Sequence, residues 1–233
     1  EERKDVSGVM GAVRNVAPGN VISDFVQRQI MVSEWSGNLG EDGTLLLYLN
    51  SANFSINRKC FLEYRFKEDL VSSEDTELFL RLKKNGLKIL YEPRAFVQHL
   101  HPRTIEDLFK RYVEYGEGLF QVEKLHGEEF RNHYRILAPL RYIDFQDDRL
   151  HEAVFSDNRQ LCEDCEFDSF QKCRITVPQL IDSKVESELD LHRFVCLAKA
   201  VGILKQRTGI DPESILHQIH TNRGEGLYLR EAK

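Results

Sequence analysis

The chain lacks the features that commit a sequence to a membrane span, to a disulfide scaffold or to nucleic acid. None of its 233 residues fall in a run that approaches the roughly 18 consecutive apolar residues of a membrane-spanning helix. Its five cysteines are an odd number in a chain too long to need disulfide staples, which favours reduced thiols. Acidic residues outnumber basic ones by 38 to 32, so no overall positive charge favours nucleic acid as a partner.

The sequence begins EERKDVSGVMGAV, which is charged where a signal peptide needs an apolar run. Together with the cysteine content, this start predicts a cytoplasmic location. Peripheral attachment to the inner face of a membrane stays open, because one amphipathic helix is enough for it. Formation of a homo-oligomer also stays open.

Hydrophobic periodicity predicts an α/β fold in which strands and helices alternate. An apolar strand starts near Val6, and an amphipathic helix capped by Asn20 or Ser23 follows it. The middle of a later helix contains Gly116 and Gly118, which predict a kink or close packing. The other expected elements are a strand at 45–49, a helix at 58–63, a helix from Ser72 or Ser73, strands on either side of Pro93, helices at 104–126 and 183–205, and a short helix from Asp211 to His220.

Two adjacent acids, Glu74 and Asp75, lie in the first turn of the most clearly marked helix, and Gly86 follows its last turn. Its apolar stripe is Leu78, Phe79 and Leu82. The positive end of the helix dipole favours ionised carboxylates, so an acid held there can act as a general base for a hydroxyl nucleophile. An acidic first turn is also common as a simple complement to the dipole, and the dipeptide alone favours that reading.

The context of these acids resembles the C-terminal half of family 2 glycosyltransferases. The similarity covers roughly residues 6–122 and rests on linked features that occur in the order of the family. These features are the stretch from Asn50 to Arg58, the turn at Phe66, Lys67 and Glu68, the acids Glu74 and Asp75, Arg81, Gly86, an apolar strand at 89–91, Pro93 and His99.

This resemblance implies a GT-A fold, the fold of nucleotide-diphospho-sugar transferases, and an inverting sugar transfer by single displacement. It makes Asp75 the catalytic base that deprotonates the acceptor hydroxyl and Glu74 its neighbour in acceptor binding. It gives Arg81 a supporting role near the phosphates or the base, although an arginine at this place in a helix usually pairs with an acid such as Glu77, four residues earlier. It also makes Ser51 and Asn53 candidate substrate-binding residues. The implied partners are a nucleotide-sugar donor and a carbohydrate or lipid-linked acceptor, as in polysaccharide biosynthesis.

The resemblance also makes His99 a ligand of a divalent cation, Mn²⁺ or Mg²⁺, that bridges the diphosphate of the donor. In the sequence FVQHLHP, alternation puts His99 and His101 on one strand face, so His101 is a second candidate ligand. A histidine at a strand end is more commonly a surface or hydrogen-bonded residue, and the residues alone favour that reading.

The chain departs from the family at its beginning. Family members carry a nucleotide-binding βαβ half and an Asp-x-Asp metal motif upstream, and neither pattern occurs here. The glycines Gly8, Gly11, Gly40 and Gly43 do not form a phosphate-binding loop in its place. We therefore expect either a truncated enzyme, which the intact site spacing favours, or a non-catalytic carbohydrate-binding or interaction module derived from one.

The second part of the sequence contains a cysteine cluster. Cys162, Cys165 and Cys173 have spacing that suits zinc, with His151 or His192 as a fourth ligand. Many acids lie between these cysteines, and a solvated acidic loop is the favoured alternative.

A domain boundary is expected near Pro139, where the texture of the sequence becomes polar and irregular. Residues 1–139 would form the C-terminal portion of the GT-A domain, and residues 140–233 a mainly α-helical extension with the cysteine-containing loop. Near the end, His217 and His220 are spaced to share one helix face and could hold a metal, although an exposed helix end explains them as well.

Overall fold

The computed structural model describes residues 6–29, 39–46, 48–137 and 188–215. This part of the chain is a mixed α/β structure built from a three-stranded sheet and helices, as the alternating pattern predicted. A 3₁₀ turn at Ser51–Asn53 precedes the second strand. In chain order the elements are β1 (Val6–Asn15), α1 (Val21–Gln29), β2 (Phe54–Ile56), α2 (Arg58–Glu63), α3 (Glu74–Lys84), β3 (Lys88–His99), α4 (Ile105–His126), α5 (Glu128–Leu137) and α6 (Glu188–Thr208).

Strand β1 is the centre of the sheet, whose order is β2, β1, β3. It pairs antiparallel with β2 and parallel with β3. The central position suits its sequence, since Met10, Ala12 and Val13 are all buried and a strand covered on both sides reads as a nearly continuous apolar run. A parallel pair needs a long crossover, and helix α3 lies within the connection that supplies it.

Strand β3 is one continuous strand, so the prediction of two strands separated at Pro93 is wrong. Its pairing with β1 moves from Gly11 opposite Glu92 to Ala12 opposite Phe96, which leaves residues 93–95 as an irregularity inside the strand. Proline cannot donate to a ladder, and the bulge accommodates it without ending the strand.

The predicted strand at 45–49 is also wrong for the described residues of that segment. Thr44 forms only an isolated bridge with Leu90, and Leu45 forms another with Leu39. The reason is a tight turn, in which the Asp42 carboxylate accepts hydrogen bonds from the Thr44 amide at 3.2 Å and the Thr44 hydroxyl at 2.6 Å. The chain therefore meets β3 at one point and does not run along it.

The caps of the helices are partly as predicted. Asn20 caps α1, because its Oδ1 accepts from the Ser23 amide at 3.0 Å. Ser73 occupies the N-cap position of α3, but its side chain makes no capping hydrogen bond and its φ is 62°, in the left-handed region. At the other end, Gly86 has a φ of 69° and the Leu87 amide donates to the Leu82 carbonyl at 3.0 Å, which is a Schellman motif.

Helices α4 and α6 pack closely against each other across two glycines. A Cβ atom at Gly116 would overlap the backbone of Lys199, and one at Gly202 would overlap the Val113 carbonyl oxygen. Helix α4 is nevertheless unbroken, so close packing is the correct half of the prediction made for its glycines. The buried Glu117 accepts hydrogen bonds across the interface from the side chains of Lys205 at 2.7 Å and Gln206 at 2.9 Å.

Among the residues that the structure describes, two hydrophobic clusters form the core, one among the helices α1, α4, α5 and α6 and one between the sheet and α3. Helix α3 contributes to both, because Leu78, Phe79 and Leu82 face the sheet while Leu80 faces the helices. The acidic first turn of α3 is therefore anchored from two sides.

The predicted boundary near Pro139 lies outside the described residues. Helix α6, from the expected extension, shares the helical cluster with α4 and so packs on the same body. No described helix combines the length and the apolar character needed to cross a membrane.

Candidate functional site

The loop that leads into α3 fixes the position of the two acids. The Ser72 hydroxyl donates to the Glu114 carbonyl of α4 at 2.7 Å, and the Val71 amide donates to the side chain of Gln121 at 2.9 Å. A side chain at Gly118 would overlap the Ser72 carbonyl, so glycine is needed for the loop to lie this close to α4. The left-handed backbone of Ser73 is a strained conformation for a non-glycine residue, and such strain is concentrated at functional sites.

Ser51 lies between the two acids. Its backbone amide donates to Asp75 Oδ2 at 3.3 Å, and its hydroxyl donates to Glu74 Oε1 at 3.4 Å. The other carboxylate oxygen of Asp75 accepts from the Thr76 amide at 2.7 Å. The structure thus brings together three of the sequence-predicted site residues, Glu74, Asp75 and Ser51.

The environment of Asp75 raises the pKa of its carboxyl group to about 6. Burial is the larger cause, and the negative charge of Glu74 adds to it. The hydrogen bonds from Ser51 and Thr76 oppose the rise because they stabilise the ionised form. A carboxylate with a pKa this close to neutrality is ionised at pH 7 and still basic enough to accept a proton.

Two tyrosines stand near the acids. Burial raises the pKa of Tyr48 well above its ordinary value, and the charges of Asp75 and Glu74 contribute. The pKa of Tyr115 is also raised, chiefly by burial, with further contributions from the same two acids. The ring of Tyr115 meets the buried Tyr112 edge to face, with the centroids 5.2 Å apart. Neutral aromatic hydroxyls therefore border the carboxylate pair.

The guanidinium group of Arg81 donates its hydrogen bonds to other groups of the protein. Its Nε and Nη2 donate to the Glu77 carboxylate at 2.8 and 2.7 Å, and Nη2 also donates to the Arg65 carbonyl at 2.7 Å. Glu77 is fully buried, and its Oε1 lies 3.1 Å from Nε2 of His126 on α4. These hydrogen bonds connect α3 to the backbone at Arg65 and to α4, so Arg81 has a structural role.

We expect Arg81→Lys to destabilise the protein by about 1–3 kcal/mol, because lysine keeps the charge but loses the two-point hydrogen bond to a buried carboxylate. Denaturant unfolding measures this loss. Lys84→Ala is the matched control on the same helix, since Lys84 forms only an exposed pair with Glu129 and should change stability by less than about 1 kcal/mol. If Arg81→Lys were as stable as Lys84→Ala, the structural role assigned to Arg81 would be wrong.

Asn53 is held inside the sheet. Its Nδ2 donates to the Ala12 and Ala95 carbonyls, both at 2.9 Å, and so bridges β1 and the irregular part of β3. A Cβ atom at Gly11 would overlap this amide and the Ala95 carbonyl, which explains the glycine. Asn53 therefore connects β1 to β3, and its amide nitrogen donates both of its hydrogen bonds to backbone carbonyls.

His99 and His101 contact each other at the end of β3. Their Nδ1 atoms are 3.2 Å apart, and Nε2 of His101 lies 3.0 Å from Oε1 of Gln27 on α1. Burial lowers the pKa of both rings, with Arg111 adding to the effect on His99, and the pKa of His101 falls to about 4. Both nitrogens of His101 are engaged, whereas Nε2 of His99 has no protein partner among the described residues.

These contacts limit how a divalent cation could bind. His99 can supply one imidazole ligand through Nε2, while His101 has no nitrogen left for a metal. Within the described ranges no group of three His, Cys, Asp or Glu side chains converges to hold an ion. Mg²⁺ bound with a nucleotide is usually held by one or two carboxylates beside phosphate oxygens and water, so a single histidine meets this requirement only in part.

The other candidate metal ligands lie outside the described residues. This applies to Cys162, Cys165 and Cys173 and to His151, His217 and His220. It also applies to the side chain of His192, although its backbone belongs to α6.

Sequence reasoning missed four residues that border the site: Tyr48, Tyr115, Arg111 and Gln27. A signal existed for Arg111 and Tyr115, which are four residues apart on α4 and therefore on one helix face. The positive charge of Arg111 acts to lower the pKa of both His99 and Tyr115, and the negative charge of Asp75 acts to raise the pKa of Tyr115. This face of α4 therefore connects His99 electrostatically to the acids. Nothing in the local sequence indicates the contact of Gln27 with His101.

The chain matches no protein-family model, no curated protein and no solved structure.

Proposed function

We propose that this chain belongs to an inverting glycosyltransferase of the GT-A fold, which transfers a sugar from a nucleotide-sugar donor to a hydroxyl acceptor. The observation that carries the proposal is the Asp75 carboxyl group, whose pKa is raised to about 6 and which Ser51 and Thr76 hold in place. The resemblance to family 2 glycosyltransferases supplies the reaction class. The acceptor is a carbohydrate or a lipid-linked sugar, and the reaction takes place in the cytoplasm.

In this mechanism Asp75 accepts the proton of the acceptor hydroxyl as its oxygen attacks the anomeric carbon. The bond from that carbon to the diphosphate oxygen breaks, the nucleoside diphosphate leaves with the electron pair, and the configuration inverts. Ser51 orients both carboxylates through its amide and hydroxyl. Glu74 keeps the pKa of Asp75 high through its charge and is available to accept a hydrogen bond from the acceptor.

A divalent cation, Mn²⁺ or Mg²⁺, would be held in part by His99 and would neutralise charge on the leaving diphosphate. Tyrosine phenols are protonated at neutral pH, and the raised pKa of Tyr48 and Tyr115 reinforces this beside the acids, so Tyr115 can donate a hydrogen bond to a sugar hydroxyl. Their rings also offer apolar faces against which a sugar can pack.

The proposal is tested on the natural polypeptide, together with any sequence before Glu1 that supplies the donor-binding half, by incubating it with UDP- and GDP-sugars, Mn²⁺ and a panel of oligosaccharide acceptors while the release of nucleoside diphosphate is measured. We expect acceptor-dependent release that requires Asp75. If no donor reacts, and an oligosaccharide binds equally well to the wild type and to Asp75→Asn, the chain is a carbohydrate-binding module and the enzyme proposal fails.

The charge of Glu74 gives a further prediction. In Glu74→Gln the pKa of Asp75 should fall, because one of the two causes of its rise is removed. The acidic limb of the pH profile of kcat/KM should therefore move to lower pH, and so should the titration of the Asp75 carboxyl followed by ¹³C NMR.

Glu106→Gln is the matched control for this experiment, since Glu106 lies in the first turn of α4 and forms a salt bridge with Lys110 there. It should leave both curves unchanged. A titration of Asp75 that stays in place or moves upward in Glu74→Gln would show that the two carboxylates are not coupled.

A further inference from the structure

A chain of hydrogen bonds leads from the centre of the sheet to His99. It begins at the Val13 carbonyl of β1, which accepts from Nε2 of Gln27 at 2.9 Å. A carbonyl can only accept, so this contact fixes which end of the Gln27 amide is the nitrogen. The amide oxygen, Oε1, consequently faces Nε2 of His101 at 3.0 Å.

The contact with Gln27 also fixes the position of the proton on His101. The Gln27 oxygen can only accept, so Nε2 of His101 must carry the hydrogen. His101 is only 2% exposed and contacts no carboxylate among the described residues, conditions that favour the neutral ring. A neutral ring protonated at Nε2 has a lone pair at Nδ1.

That lone pair determines the state of His99. The two Nδ1 atoms are 3.2 Å apart, and a hydrogen bond between them requires His99 to be the donor. Neutral His99 is then protonated at Nδ1, and its Nε2 has a lone pair. This is the tautomer that an isolated histidine side chain favours less in water, so the protein has to impose it.

We propose that Gln27 and His101 are positioning residues, which hold His99 as the Nδ1-protonated tautomer and keep its Nε2 free to bind a cation or accept a hydrogen bond. The tautomer follows from the contacts alone. The use of Nε2 as a metal ligand rests on the proposed function.

The experiment measures long-range ¹H–¹⁵N correlations of the histidine rings in the full chain at about pH 8.5, well above the ordinary histidine pKa. These spectra distinguish a protonated ring nitrogen from an unprotonated one. We expect Nδ1 protonation at His99 and Nε2 protonation at His101, with His99→Ala and His101→Ala used to assign the signals. Nε2 protonation at His99 in the wild type would overturn the inference.

Gln27→Leu removes the acceptor that fixes His101, and leucine fits because the position is half-buried. In this variant His99 should shift toward the Nε2-protonated form. Arg28→Gln, at the exposed neighbouring position of the same helix, should leave the spectra unchanged. A Gln27→Leu variant that folds and keeps the wild-type pattern at His99 would equally overturn the inference.

Adding Mn²⁺ with UDP to the natural polypeptide, with any donor-binding sequence before Glu1 included, separates the positioning role of Gln27 and His101 from metal binding by His99. If His99 binds the cation, its ring signals broaden, and Gln27→Leu should weaken Mn²⁺ binding about 10- to 100-fold, as is typical of residues that orient a ligating histidine. Absence of broadening with the expected tautomers in place would reject His99 as a metal ligand and leave the positioning role of Gln27 and His101 intact.

Discussion

Asp75→Asn is expected to lower turnover by about 10²- to 10⁴-fold, the usual contribution of a general base. The amide cannot accept the proton of the acceptor hydroxyl. Its oxygen can still accept a hydrogen bond from the Ser51 or the Thr76 amide, so the turn should keep its shape. The readout is the release of nucleoside diphosphate in the acceptor-dependent assay.

The same variant is expected to be more stable than the wild type at neutral pH. The pKa of Asp75 rises from its ordinary value of 3.8 to about 6 in the folded protein, so folding disfavours the ionised form. At about 1.4 kcal/mol for each pKa unit, ionisation of Asp75 costs on the order of 1–3 kcal/mol of stability. This cost is complete above the folded pKa and disappears as the pH falls below the unfolded value.

The free energy of unfolding is therefore to be measured at about pH 7.5, above the pKa of Asp75 in the folded protein, and at about pH 3.5, below its pKa in the unfolded chain. The advantage of Asp75→Asn should be present at the higher pH and largely absent at the lower one. Asp107→Asn is the matched control, an exposed acid in the first turn of α4. It should keep full turnover and lose at most about 1 kcal/mol of favourable interaction with the helix dipole. Loss of turnover with a parallel loss of stability in Asp75→Asn would indicate misfolding and contradict the role of a base.

Gly202→Leu is expected to have the largest effect on stability, a loss of about 3 kcal/mol or more. The first side-chain atom would already overlap the Val113 carbonyl oxygen, so α4 and α6 would have to move apart. Separation would expose the apolar side chains that α6 buries, among them Phe194 and Val201. The higher helix propensity of leucine recovers only about 0.8 kcal/mol.

Urea unfolding measures this difference. Gly209→Asn is a suitable control, because Gly209 follows the same helix, has a φ of 73° and has no atom within 4 Å of the position that a Cβ would take. Asparagine tolerates the left-handed region, so the control should lose less than about 1 kcal/mol. Equal stability of Gly202→Leu and the control would mean that the helices do not pack as closely as the backbone positions require.

Local patterns in the sequence were enough to predict several parts of this structure. The acidic first turn, the apolar stripe and Gly86 predict helix α3. In the structure the acids lie in its first turn, the stripe is buried and Gly86 follows its C-cap. The signals are local because helix caps and dipole charges act within one turn. The pairing of Glu74 with Asp75 at one helix end was predictable for the same reason.

Other parts depend on contacts between distant segments. The prediction of two strands around Pro93 failed because β1 pairs with β3 on both sides of the irregularity. Ser73 is the N-cap of α3, one of the two serines expected there, but it makes no capping hydrogen bond, because packing of Ser72 against Glu114 and Gly118 accompanies a left-handed conformation at Ser73. The hydrogen bond between Gln27 and His101 joins residues 74 positions apart, and no pattern in a single sequence specifies such a pair.

The order of the sheet has a consequence for folding during synthesis. Strand β1 is central but precedes both of its partners, and it pairs with β3 only after the ribosome has added more than 70 further residues. Until then its apolar residues have a free edge on at least one side, which is the condition for pairing with the wrong strand. The nascent chain is therefore most exposed to mispairing in the interval before β3 has been synthesised.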